Sequence, residues 1–269
     1  LYDQNHKNNL TIRRLLEAVY TLYAGDKETD DFKAFTTYLK RVWMGNGIHH
    51  HYSEDKFTPE FSEQFLKEAV LSLDAQKLPL AEGESVDAFI NRIFPVIFDP
   101  SLYAKRSNQE DGVDLIQTSA NNFYEGVSQA EVESFYKNMA DPSNPRPVSY
   151  GLNSKVVKKD GKVQEIVWKE GGMYSAAITR IIGWVEKAAS VAENESQKKV
   201  IESLISYYKS GNLATYDEYS ILWLKDLDSQ VDFVNGFTET YTDPLGMKAT
   251  WESIVNFKDV EATKRTTII

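Results

Sequence analysis

Glu239-Thr240-Tyr241-Thr242-Asp243-Pro244-Leu245-Gly246 joins two runs of alternating apolar residues, and this join decides the local fold. Upstream, Val231 and Phe233 fall on one face of an extended chain, with Asp232 and Val234 on the other. Downstream, Trp251, Ser253, Val255 and Phe257 alternate again. Asp-Pro-x-Gly is a turn sequence, so the pattern predicts a β-hairpin with this motif at its bend. Residues two apart on a strand share a face, so Glu239 and Tyr241 are expected to form one small polar site beside the turn. Residue types alone leave two readings open. Glu239 pairs with an internal lysine while Tyr241 packs, or the two receive a ligand.

Working towards the N-terminus, a second hairpin is expected. Val148 to Val157 and Lys162 to Trp168 look extended, and Lys158-Lys159-Asp160-Gly161 joins them with an Asp-Gly signal. Between the hairpins lie helices with apolar positions Ile178, Ile181, Ile182 and Val185, then Val200, Ile201, Leu204, Ile205 and Tyr208 up to Gly211. A further helix carries Tyr216, Tyr219 and Trp223. Asp141 to Pro147 holds three prolines and reads as a loop, more simply a surface loop within one domain than a boundary.

The first 140 residues read as helical. Leu10, Ile12, Leu15, Leu16, Val19, Leu22 and Tyr23 share a face, then Phe32, Phe35, Leu39, Val42 and Trp43 repeat the pattern. Thr58-Pro59 reads as a helix start and Ser85 as another, stopped by Pro95. Ser128-Gln129-Ala130-Glu131 has the form of a capping box. The fold class expected is α+β: predominantly helical with a small antiparallel β portion. Asp259 to Arg265 reads like the first turns of a helix capped by Asp259 with no Gly or Pro stop after it, and the chain starts at Leu1, so an internal piece of a longer protein is expected.

Composition narrows the function classes. The 269 residues carry 30 Lys plus Arg against 40 Asp plus Glu, a formal charge of -10. An acidic surface disfavours nucleic acid and anionic lipid, both polyanions, but not a substrate with a free ammonium group. With no cysteine there is no disulfide, thiolate metal site or thiol nucleophile. No apolar run is long enough to span a membrane, and the expected location is cytoplasmic, with export left open. Gly-x-Ser-x-Gly, His-Glu-x-x-His and a phosphate loop are all missing from the sequence. His49-His50-His51 is read as a loop, with Tyr52 and Phe57 packing behind it, because three consecutive side chains diverge instead of converging on a metal.

Phe237 to Gly246 resembles the Phe-Ile-Glu-Ser-Tyr-Arg-Asp-Pro-Phe-Gly segment of the dipeptidyl peptidase III family of zinc exopeptidases. Ser220-Ile221-Leu222-Trp223-Leu224-Lys225-Asp226 is similar to its Ser-Arg-Phe-Trp-Ile-Gln-Asp, and Gly45 to Pro59 to its cleft-loop segment. The resemblance implies an incomplete lobe of a two-lobe enzyme: the lobe that carries a small β-barrel, without the zinc lobe. It implies zinc in the whole enzyme, with the ligands outside this chain and no metal bound by the chain itself. It implies a peptide substrate with a free N-terminus and the missing zinc-bearing lobe as partners, with no nucleic acid and no membrane span. By position, Glu239 matches the carboxylate that binds the substrate ammonium, and Tyr241 the phenol that bonds the peptide beside it. Tyr52 matches a cleft-lining Phe, Trp223 a Trp on a cleft-edge helix, and Glu252 a second Glu beyond the turn. A non-catalytic peptide-binding or interaction domain on the same scaffold is the alternative, and an unrelated carrier or structural domain a third reading.

Overall fold

The computed structural model describes residues 2–266 and 268 of the chain. The chain divides into two compact units, Leu1–Asn122 and Phe123–Ile269. No helix among the described residues is long and apolar enough to cross a membrane.

The first unit is built from α1 (Tyr2–Asn5), α2 (Asn9–Leu22), α3 (Asp30–Gly45), α4 (Glu63–Leu71) and α5 (Val86–Phe98). Its core follows from the helical period. Ile12, Leu15, Leu16 and Val19 of α2 bury completely against Phe35, Leu39 and Val42 of α3, with Leu66, Phe89 and Ile93. Leu10 and Leu22, at the two ends of the α2 stripe, stay exposed.

Three expectations for this unit need correcting. The helix after the His loop starts at Glu63, not at Pro59. Ser62 is its cap, accepting from the Phe65 amide, and is itself held by Asp31, which accepts from both Ser62 N and Oγ. Phe61 is buried before the helix begins, which spends the preceding residues on reaching the core. Pro95 does not stop α5, which continues to Phe98. The proline lies on the exposed side while Ile93, Phe94, Val96 and Ile97 are buried, so the core face carries the helix past the missing amide. Finally, Phe57 packs against the core, but Tyr52 is 86% exposed and meets only the His50 and His51 rings among the aromatic contacts of the described residues.

The second unit opens with β1 (Tyr124–Glu125), α6 (Gln129–Met139), β2 (Ser154–Lys159) and β3 (Lys162–Val167). The Ser128 capping box forms as read, with reciprocal bonds to Glu131. β2 and β3 pair antiparallel around Asp160 and Gly161, both with positive φ, and β1 adds to β2 in parallel. Then come α7 (Ser175–Ser190), α8 (Glu195–Ser210), α9 (Leu213–Lys225), β4 (Val231–Glu239), β5 (Thr250–Phe257) and α10 (Val260–Thr266). The architecture is α+β and mostly helical, with a three-stranded and a two-stranded sheet and no closed barrel among the described residues.

The β4–β5 hairpin positions the predicted site. Val231 pairs with Phe257, Phe233 with Val255, Asn235 with Ser253 and Phe237 with Trp251. This face lies against α7 and α8 over an apolar cavity of about 250 Å³ lined by Trp184, Ile201, Leu204 and Val231. The Trp251 indole donates to the Tyr208 hydroxyl at 2.8 Å, and that hydroxyl bonds Asn235. The opposite face carries Asp232, Val234 and Gly236 and lies against α9, whose Trp223 indole donates to Asp232 at 2.9 Å.

Candidate functional site

A single irregularity aims Glu239. Pairing is regular up to Phe237–Trp251, and the next pair is Glu239–Thr250, so β4 spends one extra residue at Thr238. Such a bulge shifts which side chains share a face. Thr250 lies two residues before Glu252, so Glu239 joins the Glu252 and Gly236 face instead of following Phe237 into the packed one. The Thr250 hydroxyl closes the bulge by donating to the Glu239 carbonyl at 3.2 Å.

β4 ends at Glu239, and Tyr241 lies beyond it in the turn, 55% exposed. The expectation that strand alternation places the two side chains on one face therefore does not hold. Chain adjacency and the turn set their relation. The Glu239 side chain is exposed, and among the described residues no Lys or Arg forms an ion pair with its carboxylate. Its surroundings are negative. Burial first, then the charge of Glu239, pushes the Glu252 carboxyl above its ordinary value. Burial raises the Tyr216 phenol to about 12, with the charges of Asp217 and Glu239 adding to the effect. A carboxylate without a cation, set in a negative corner beside aromatic rings, is suited chemically to receive an ammonium group.

Trp223 stands away from Glu239, in a crevice that shares Tyr216 with this corner. It lines a crevice of about 190 Å³ between α9 and β4, with Tyr216, Tyr219, Val234 and Thr238. Its indole is tied to Asp232, seven residues before Glu239, which is about 20 Å along a strand. Thr238, at the other end of the crevice, precedes Glu239. Tyr52 lies in the first unit, beside a groove of about 540 Å³ lined by Lys40, Arg41, Met44, His50 and Phe57. Of the His trio, His49 is buried and bonds the Tyr103 carbonyl at 2.8 Å, while the His50 and His51 rings meet Tyr52. Among the described residues no group of three or more His, Cys, Asp or Glu is placed to hold a metal ion.

Sequence reasoning missed what holds the turn. Asp243 is buried, and its Oδ2 accepts from the Tyr124 hydroxyl and from the Met247 and Lys248 amides, at 2.8–2.9 Å. Lys248 is fully buried and reaches Tyr136, Gly151 and Ser154. Asp-Pro-x-Gly pointed to a turn, but nothing in Met247-Lys248-Ala249 signals a buried lysine.

Comparison with known proteins places these features in a family. Dipeptidyl peptidase 3 of Dictyostelium discoideum is 22% identical over 275 residues, covering 95% of this chain and 37% of that protein. Dipeptidyl peptidase 3 of Nematostella vectensis is 25% identical over 255 residues, covering 84% and 34%. The chain thus spans about a third of the length of the curated relatives it matches. A solved structure of DPP III from Caldithrix abyssi superposes with a TM-score of 0.59 at 19% identity, covering 100% of this chain and 38% of that one. That likeness establishes the fold. The model of peptidase family M49 matches residues 119–269, more than half of the chain and all of the hairpin that carries Glu239, and the chain belongs to that family.

Proposed function

We propose that this chain is the substrate-binding part of a zinc-dependent dipeptidyl peptidase, an enzyme that releases dipeptides from peptide N-termini. Glu239 receives the ammonium of the peptide's first residue, and Tyr241 bonds the peptide beside it. Trp223 in the second unit and Tyr52 in the first are each a further substrate contact in this reading. Zinc and the groups that cut the peptide belong to the part of the longer enzyme outside this chain. A dipeptidyl peptidase has to measure two residues from a free amine, and a fixed carboxylate sets that distance.

The observation that carries this reading is the Glu239 carboxylate. It has no cationic partner among the described residues, and a bulge turns it out of the packed face towards Glu252. Family membership and the relatives' name, dipeptidyl peptidase 3, support the substrate class. The test is the Glu239→Gln variant of the peptidase that carries this chain, assayed on a dipeptidyl-naphthylamide. Loss of a charge-assisted hydrogen bond of about 2–3 kcal/mol lowers kcat/KM roughly 30- to 150-fold. An unchanged kcat/KM overturns the assignment.

A further inference from the structure

Behind the exposed Glu239–Tyr241 segment lies a buried cluster that the binding reading does not use. Lys248 is 0% exposed, and its ammonium has three hydrogen-bonded partners: the Tyr136 hydroxyl at 2.7 Å, and the Gly151 carbonyl and Ser154 hydroxyl at 3.2 Å each. Three donors and three acceptors leave no N–H unused. Both hydroxyls pass the interaction on. Tyr136 donates to Glu165 Oε1 at 2.7 Å, and Ser154 donates to the same oxygen at 2.6 Å. The positive charge of Lys248 is thus linked to the Glu165 carboxylate through two hydroxyl bridges. The Tyr124 and Tyr136 rings add their faces at 5.3 and 5.1 Å.

The cluster joins elements far apart in sequence. Tyr136 is on α6, Ser154 starts β2, Glu165 is on β3, and Lys248 sits in the β4–β5 connection. On the same connection the Ala249 amide donates to the Leu152 carbonyl at 2.9 Å, and Asp243 holds the Tyr124 hydroxyl of β1. The next residue, Thr250, is the partner of Glu239 across the bulge. An unbroken run of fixed atoms therefore leads from Lys248 through Ala249 and Thr250 to the backbone of Glu239.

Stability alone is a poor reason for this arrangement. Burial pulls the Lys248 ammonium down to about 8, against the opposing charges of Asp243 and Glu165, and pushes the Asp243 carboxyl up. Charged groups whose desolvation dominates in this way add little net stability over apolar replacements. What they do supply is a single geometry for the turn.

We propose that Lys248 is a positioning residue for substrate binding, clamping the Thr240–Ala249 connection to α6, β2 and β3 so that Glu239 and Tyr241 keep a fixed place for the substrate amine. The proposal rests on the reading of Glu239 given above. Its test uses the peptidase that carries this chain, with Lys248→Met, Glu239→Gln and the double variant, each assayed for kcat and KM on a dipeptidyl-naphthylamide. Lys248→Met keeps the length of the side chain and removes its ammonium. The expected result is a rise in KM of about tenfold or more with kcat within threefold, and a double variant whose loss falls well short of the product of the two single losses. If Lys248→Met fails to fold, Tyr136→Phe takes its place, deleting one hydroxyl bridge and keeping the ring, with the same split expected. A wild-type KM, a loss confined to kcat, or losses that multiply in the double variant overturn the proposal and leave Glu239 in place. Wild-type kinetics for Glu239→Gln overturn both.

Discussion

Glu239 pairs with Thr250 across the hairpin, one place out of step with the Phe237–Trp251 pair before it. That offset makes Glu239 and Glu252 neighbours in charge. Glu252 carries a carboxyl raised first by its own burial and then by the charge of Glu239. Replacing Glu239 by Gln removes the second cause and leaves the first. The Glu252 pKa is then expected to fall towards the ordinary carboxylate range without reaching it. Carboxyl-carbon NMR titration of Glu252 in the two proteins measures this directly. An identical titration curve in both contradicts the shared face that the bulge creates.

Gly151 is required by the cluster behind the site. Its φ is +87°, and a Cβ placed there would sit 2.7 Å from the Tyr136 hydroxyl and 3.3 Å from the Lys248 nitrogen. Gly151→Ala therefore combines left-handed backbone strain with a contact that forces Tyr136 aside. The expected loss is about 1–3 kcal/mol in the stability of the second unit, read as a lower denaturation midpoint. The partner measurement is Gly161→Ala, another glycine with positive φ but with nothing near its Cβ. It bears the backbone strain alone and is expected to lose less. Equal losses would remove the Tyr136 contact from the account.

Much of this architecture was legible because local chemistry and tertiary packing agree. Asp160-Gly161 gave the β2–β3 turn, the Ser128 box gave the start of α6, and the alternation around Val231 and Trp251 gave the β4–β5 hairpin. The site was legible only in part. Glu239 and Tyr241 stand out in the sequence as a carboxylate and a phenol two residues apart, yet the strand argument that joined them fails, because β4 ends at Glu239 and Tyr241 lies in the turn. The bulge that aims Glu239 is a tertiary compromise that leaves no mark on hydrophobic period. Lys248 was invisible for a related reason. A lysine is usually solvated, and its burial depends on hydroxyls supplied from Tyr136 and Ser154, about a hundred residues earlier. Pro59 and Pro95 misled because proline reports what the backbone tolerates, while the helix limits were set by the burial of Phe61 and of Ile97.

Pro95 also makes a prediction of its own. It sits inside α5 on the exposed side, where its missing amide leaves the Asn91 carbonyl without a helical donor. Pro95→Ala restores that bond and a residue of higher helix propensity without touching the buried Ile93, Phe94, Val96 and Ile97. The variant is expected to stabilise the first unit by about 1–3 kcal/mol, measured as slower amide exchange in α5. Faster exchange would mean that the core needs the bend that proline imposes.

The first unit carries an acid sensitivity in His6 and His49, both 1% exposed, with ring centroids 6.5 Å apart. His49 Nε2 bonds the Tyr103 carbonyl, His6 Nδ1 accepts from the Asn8 amide, and the other two ring nitrogens are buried with no hydrogen-bond partner among the described residues. Burial is the main cause that lowers His6 to about 3 and His49 to about 4. Nearby positive groups lower both further, His49, Lys7 and Lys56 for His6 and Arg106 and Lys56 for His49, while at His49 the bond to the Tyr103 carbonyl and then Asp55 oppose the shift. The unfolded value is about 6.5, so between 6.5 and 4 the unfolded chain binds more protons than the folded one. Stability is therefore whole above about pH 6.5 and is lost as pH falls, by about 2 kcal/mol for each histidine at pH 5. Amide exchange in α2 and α3, corrected for the intrinsic rate, is expected to lose protection between pH 7 and 5 in the native chain. His6→Gln, which does not titrate in this range, is expected to lose roughly half as much over the same interval. Equal losses in the two proteins would place the acid sensitivity elsewhere.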